Sequence, residues 1–174
     1  MRKLQLMRLL NIALIIQVCS AGVTTRFKRD TYVEQNMKEL IQFAKTVVND
    51  SGPMINAVLE AMPSTAAYEK HREDLEAYLR QLNNYKSHSG ICAQKSVELM
   101  VAFLEVTAPY GEQNDSSAEM KQVVKLLSEN GLENLQNQAA DWMENFDKAK
   151  FGEEYAKLSS QDKTDIIPIF TEIC

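Results

Sequence analysis

The run from Ile91 to Ala108 constrains the fold more than any other stretch. Between Val97 and Val106 only Glu98 and Glu105 are charged. They stand seven residues apart, so on a helix they share one narrow polar stripe and leave the rest of the circumference apolar. A helix of that kind must be nearly surrounded by protein. It predicts an all-α bundle built around a central apolar helix over about 91–108.

The flanking segments supply the surround. Thr31-x-x-Glu34 has the form of a capping box. Val33, Met37, Leu40, Ile41, Ala44, Val47 and Val48 then recur at three- and four-residue steps, as one buried helical face requires. Asn49-Asp50-Ser51-Gly52 reads as the end of that helix. Pro53 reads as the opening of a short second one, with Ile55, Val58, Leu59 and Met62 inside and Pro63 as its stop. From Ser64 to about Lys86, a narrow stripe of Tyr68, Leu75, Tyr78, Leu79, Leu82 and Tyr85 predicts an outer helix, its tyrosines suited to a half-buried face.

Pro109 and Gly111 close the central helix. Ser116-x-x-Glu119 repeats the capping pattern ahead of Met120, Val123, Val124 and Leu127, and Asn130-Gly131 ends that helix. Leu132, Leu135, Ala139, Trp142, Met143 and Phe146 give a further face, which Gly152 weakens near its end. Ser160-Gln161-Asp162 is placed to cap a last segment that Pro168 must kink or divide. No alternating pattern predicts a strand. The expectation is six or seven helices in one domain.

The N-terminus reads differently. Three basic residues by Arg8, an apolar run from Leu9 to Val18, and the small residues Ser20-Ala21-Gly22 follow the order of a secretory signal peptide over residues 1–21. The apolar core is short for a membrane span and no second candidate follows, so no transmembrane segment is expected after signal removal. Arg26-Phe27-Lys28-Arg29 resembles the Arg-x-Lys-Arg recognition site of furin-type proprotein convertases. Residues 22–29 are thus expected as a short pro-segment, and 30–174 as the helical bundle domain, secreted and extracellular.

Six of the 19 Lys and Arg residues and none of the 24 acids fall within residues 1–29, which leaves 13 basic against 24 acidic side chains, a formal −11, in the rest. Such a surface repels nucleic acid, so none is expected as a partner. Cys19 lies in the signal segment, leaving Cys92 and Cys174, which in a secreted chain most simply form one disulfide. An intermolecular bridge and two free thiols are the competing readings. Two Asn-x-Ser acceptors, Asn49 and Asn114, both fall in predicted interhelical loops and are the expected glycosylation sites.

Candidate chemistry is sparse. His71 lies in a charged run that reads as a solvated face, His88 in a Ser/Gly turn, and no Gly-x-Ser-x-Gly elbow accompanies them. His-Glu-x-x-His, paired Cys-x-x-Cys, calcium loops and phosphate-cradling glycine loops are missing. The expectation is no catalytic residue, no metal, no cofactor and no enzyme. Met37, Met54, Met62, Met100, Met120 and Met143 all fall on predicted inner faces, and methionine-rich interiors adapt to apolar ligands. The leading expectation is a secreted binding protein with a lipid or other apolar small molecule in the bundle interior, touching Met100, Phe103, Leu104, Trp142, Met143 and Phe146. The alternative is a cytokine-like or effector protein whose surface engages a receptor or other extracellular protein.

Overall fold

In the computed structural model, the described residues are 31–86, 93–111 and 117–170, and among them the chain forms seven α-helices and no strand. These are α1 (Tyr32–Ala61), α2 (Glu69–Lys86), α3 (Ala93–Thr107), α4 (Ala118–Glu129), α5 (Leu132–Asn145), α6 (Lys148–Lys157) and α7 (Ser160–Phe170), with 3-10 turns at Ala66–Tyr68 and Ala108–Gly111. The chain is an all-α helical bundle. Signal, convertase and cysteine positions (Arg26, Lys28, Arg29, Cys92 and Cys174) lie outside the described residues, as do Asn114 and His88.

The principal departure from the sequence reading is α1. Asn49-Asp50-Ser51-Gly52-Pro53 does not end a helix; α1 runs through it for 30 residues. The cost is local, because Pro53 has no N–H to give the Asn49 carbonyl, which removes one helical bond at about 3 kcal/mol. Gly52 adds about 1 kcal/mol relative to alanine. Against this, Met54, Ile55, Val58 and Met62 are each at most 5% exposed. Fully burying side chains of this kind is worth about 1.5–3 kcal/mol apiece. Burial outweighs the breakers. Asn49 and Pro53 are exposed, so the unbonded carbonyl is on the solvent side, while the small Ser51 and Gly52 are buried. Asn49 therefore stands on an exposed helical face and not in an interhelical loop.

The ends of α1 are well satisfied. Thr31 Oγ1 accepts from the Glu34 N–H at 3.2 Å. The Glu34 carboxylate pairs with Lys38 at 2.8 Å, and its Oε2 is buried without a hydrogen-bond partner. At the other end Arg72 of α2 donates to the carbonyls of Leu59 at 3.2 Å and Met62 at 2.9 Å. A cation there meets both the orphan acceptors and the negative end of the helix dipole. Met62, ahead of Pro63, is extended at ψ 130° and stops the helix as expected.

Every other helix packs on α1, and α3 is its most extensive partner. The apolar α3 is thus one half of a central pair, with Val97, Met100 and Phe103 at most 1% exposed and Val101, Ala102, Leu104 and Val106 half-buried. Two core clusters result. The larger joins α1 from Leu40 onward, and Met62 at its C-cap, with α2 to α5, and the smaller joins Val33, Met37 and Ile41 to Ala93 and Ile166, with Phe151, Tyr155 and Leu158 alongside.

Three of the later helices, α4, α6 and α7, start at caps that the sequence reading misplaced. Asp147 accepts from the Lys150 N–H at 2.9 Å and starts α6, so the break falls at Phe146 and Gly152 lies inside a helix. Ser117, one residue later than expected, caps α4 through the Met120 N–H at 3.1 Å. Ser159, one residue earlier than expected, caps α7: its Oγ accepts from the Asp162 N–H at 3.0 Å while Asp162 accepts from the Ser159 N–H at 3.1 Å.

Candidate functional site

Where α1, α3 and α5 meet, their side chains leave a cavity of about 310 Å³. Leu40, Phe43 and Val47 form the α1 wall at helical spacing. Met100, Phe103, Leu104 and Thr107 form the α3 wall. Leu135, Gln136, Ala139, Ala140, Trp142 and Met143 come from α5, and Ala108 and Gly111 of the 3-10 turn close one end. Ala139 and Ala140 contribute little side-chain volume to the α5 wall. Phe43, Leu104, Trp142 and Met143 are half-buried, and Ala108, Gly111, Gln136 and Ala140 are exposed, so the cavity opens to solvent as a groove.

Five of the six residues expected to line an interior ligand site are brought together here: Met100, Phe103, Leu104, Trp142 and Met143. Phe146 is not in the lining. It stacks on the Trp142 ring at 5.0 Å between centroids and continues to Phe151 at 5.3 Å, which backs the tryptophan and ties α5 to α6. The α1 wall was not anticipated as lining. Its signal was present in the 40, 43, 47 spacing, but nothing in the chain alone showed which part of α1 faces α5.

The groove rests on a rigid floor. Phe103 meets Tyr78 at a tilt, with centroids 5.7 Å apart and planes at 57°. The Tyr78 hydroxyl is buried and lies 2.6 Å from Ser51 Oγ. Burial pushes its phenol up to about 12, an effect the Ser51 bond partly offsets. The end of the groove is held differently. Tyr110, in the 3-10 turn, is 4% exposed, and its hydroxyl lies 3.1 Å from His71 Nδ1. Burial, and secondarily the Asp74 charge, push Tyr110 up to about 12. His71 is therefore half-buried and pinned to the turn, not part of a solvated face.

Polar chemistry within the groove is slight. Thr107 Oγ1 donates to the Phe103 carbonyl at 2.8 Å, and the Gln136 amide stands at the exposed rim. Such a lining can hold hydrocarbon and orient one polar group. Among the described residues, no group of three or more His, Cys, Asp or Glu side chains is placed to hold a metal ion, and no helix is long and apolar enough to cross a membrane. No family model matches this chain, and comparison with curated proteins and with solved structures finds no match.

Proposed function

We propose that this is a secreted, non-enzymatic binding protein that carries a lipid or other apolar small molecule in the groove between α1, α3 and α5. The observation that carries the reading is the groove itself, apolar on three helical walls, with Met100, Met143, Phe103 and Trp142 facing one space. Its volume of about 310 Å³ falls at the lower end of small-molecule pockets, roughly 300–1,000 Å³. At about 30 Å³ per water-sized group, it has room for about ten heavy atoms or more. Ten buried methylenes at about 0.8 kcal/mol each give about 8 kcal/mol gross. That is the free energy of a micromolar Kd before ordering costs are subtracted. The affinity expected is micromolar or weaker, as suits a carrier that must release its cargo. Export by the N-terminal signal and trimming after Arg29 complete the reading from the sequence.

Trp142 is the single tryptophan of the chain and lines the groove, so its emission is a direct reporter. Titrating delipidated protein with medium- and long-chain lipids should give a saturable change in Trp142 fluorescence. If no lipid tested produces one, and none is extracted from the protein as secreted, the carrier reading fails and recognition of an extracellular protein through the surface takes its place.

A further inference from the structure

Among the described residues that line the groove none is charged, and Thr107 and Gln136 are the polar side chains. Thr107 Oγ1 spends its proton on the Phe103 carbonyl at 2.8 Å, so what it has left to offer is lone pairs. Thr107 is also the last residue of α3 and sits where that helix's dipole is negative. Glu133, Asp141 and Glu144 of α5 are exposed, and none of them lines the groove. On α3 the one cation, Lys95, is taken by Glu98 at 2.5 Å. An anionic head would meet an acceptor at a negative helix end with no cation in the lining to compensate it, and a buried ion without a partner is expensive.

We propose that the groove takes a hydrocarbon chain ending in a hydroxyl whose O–H donates to Thr107 Oγ1, and discriminates against the carboxylate of the same chain length. This rests on the reading of the groove as an apolar ligand site. The neutral head places its donor against the acceptor that the helix end leaves open, and its chain lies along Met100, Leu104 and Met143. The Gln136 amide, at the rim, offers a second neutral partner that can accept or donate.

The experiment compares 1-dodecanol with dodecanoate on the delipidated full chain at neutral pH, below their aggregation concentrations, by Trp142 fluorescence and calorimetry. The expected result is at least tenfold tighter binding of the alcohol than of the carboxylate. Thr107→Val should erase most of that advantage and Thr107→Ser should keep it, with circular dichroism confirming the fold of both. Equal or tighter binding of the carboxylate overturns the proposal while leaving the groove a ligand site. Binding of neither removes the underlying reading as well. The comparison on the unmodified protein stands even if a variant fails to fold.

Discussion

Tyr78 shows how one side chain serves both stability and site. Its ring supports Phe103 under the groove, and its hydroxyl meets Ser51 in a place the sequence marks as a turn. Tyr78→Phe should cost about 1 kcal/mol at neutral pH, the net worth of one buried hydrogen bond. The same residue governs alkaline stability. Tyr78 and Tyr110 are both raised from 10.0 to about 12 in the folded chain. A phenol whose folded value lies above its unfolded one contributes fully below pH 10, and that contribution is lost as pH rises toward 12. Each buried phenol should then steepen the decline by about 1.4 kcal/mol per pH unit in that window. Urea midpoints at pH 8, 10 and 11 should fall progressively, and Tyr78→Phe should remove about half of the fall. The tyrosine stripe itself was legible from spacing. That Tyr78 is fully buried while Tyr68 and Tyr85 are half-buried was not, because it depends on Ser51, a partner 27 residues away.

At the scale of elements, the apolar periodicity identified the helical segments except α6, which was read as the weakened end of α5, and the other errors lie at breaks. Asn49 to Pro53 carries all the local marks of a turn, yet the buried positions on either side keep helical phase through it. Local chemistry lost to the summed burial of the residues beyond. Pro53→Ala restores a donor for the Asn49 carbonyl on the exposed side of α1, so it should stabilise the protein by about 1–2 kcal/mol after allowing for the stiffer unfolded chain that proline provides. Thermal unfolding checks the sign. Two glycines make a second test. Gly131 stands at φ 107° as the N-cap of α5, whereas Gly152 lies inside α6 with nothing within 4 Å of an added Cβ. Gly152→Ala should stabilise by about 0.5–1 kcal/mol, and Gly131→Ala should destabilise by about 1–2 kcal/mol because of the left-handed backbone. Equal effects at the two positions would contradict the assigned backbone. The one-residue errors at the Ser117 and Ser159 caps have a simple cause: adjacent serines offer equivalent hydroxyls, and only the path of the chain chooses between them.

For the molecule as a whole, unequal cores set unequal stability. The larger cluster spans α1 to α5, while α6 has no fully buried residue and α7 is anchored through Ile166. Amide hydrogens of α6 and α7 should therefore exchange faster than those of α1 and α3, whose opening requires the main core. The groove belongs to the better-packed part, which suits a site that must keep its shape. Its α3 and α5 residues were readable as inward faces. The opening was not, since the wall includes Ala139 and Ala140, small residues whose meaning depends on what stands opposite. The carrier reading is tested most directly by native mass spectrometry of the protein secreted from eukaryotic cells, alongside Ala140→Phe, a rim substitution that fills the groove from an exposed position. The unmodified protein should carry an added mass that leaves on denaturation and is absent from the Ala140→Phe form. An added mass that survives in the filled variant, or a ligand-free spectrum that no lipid then alters, would contradict the carrier reading.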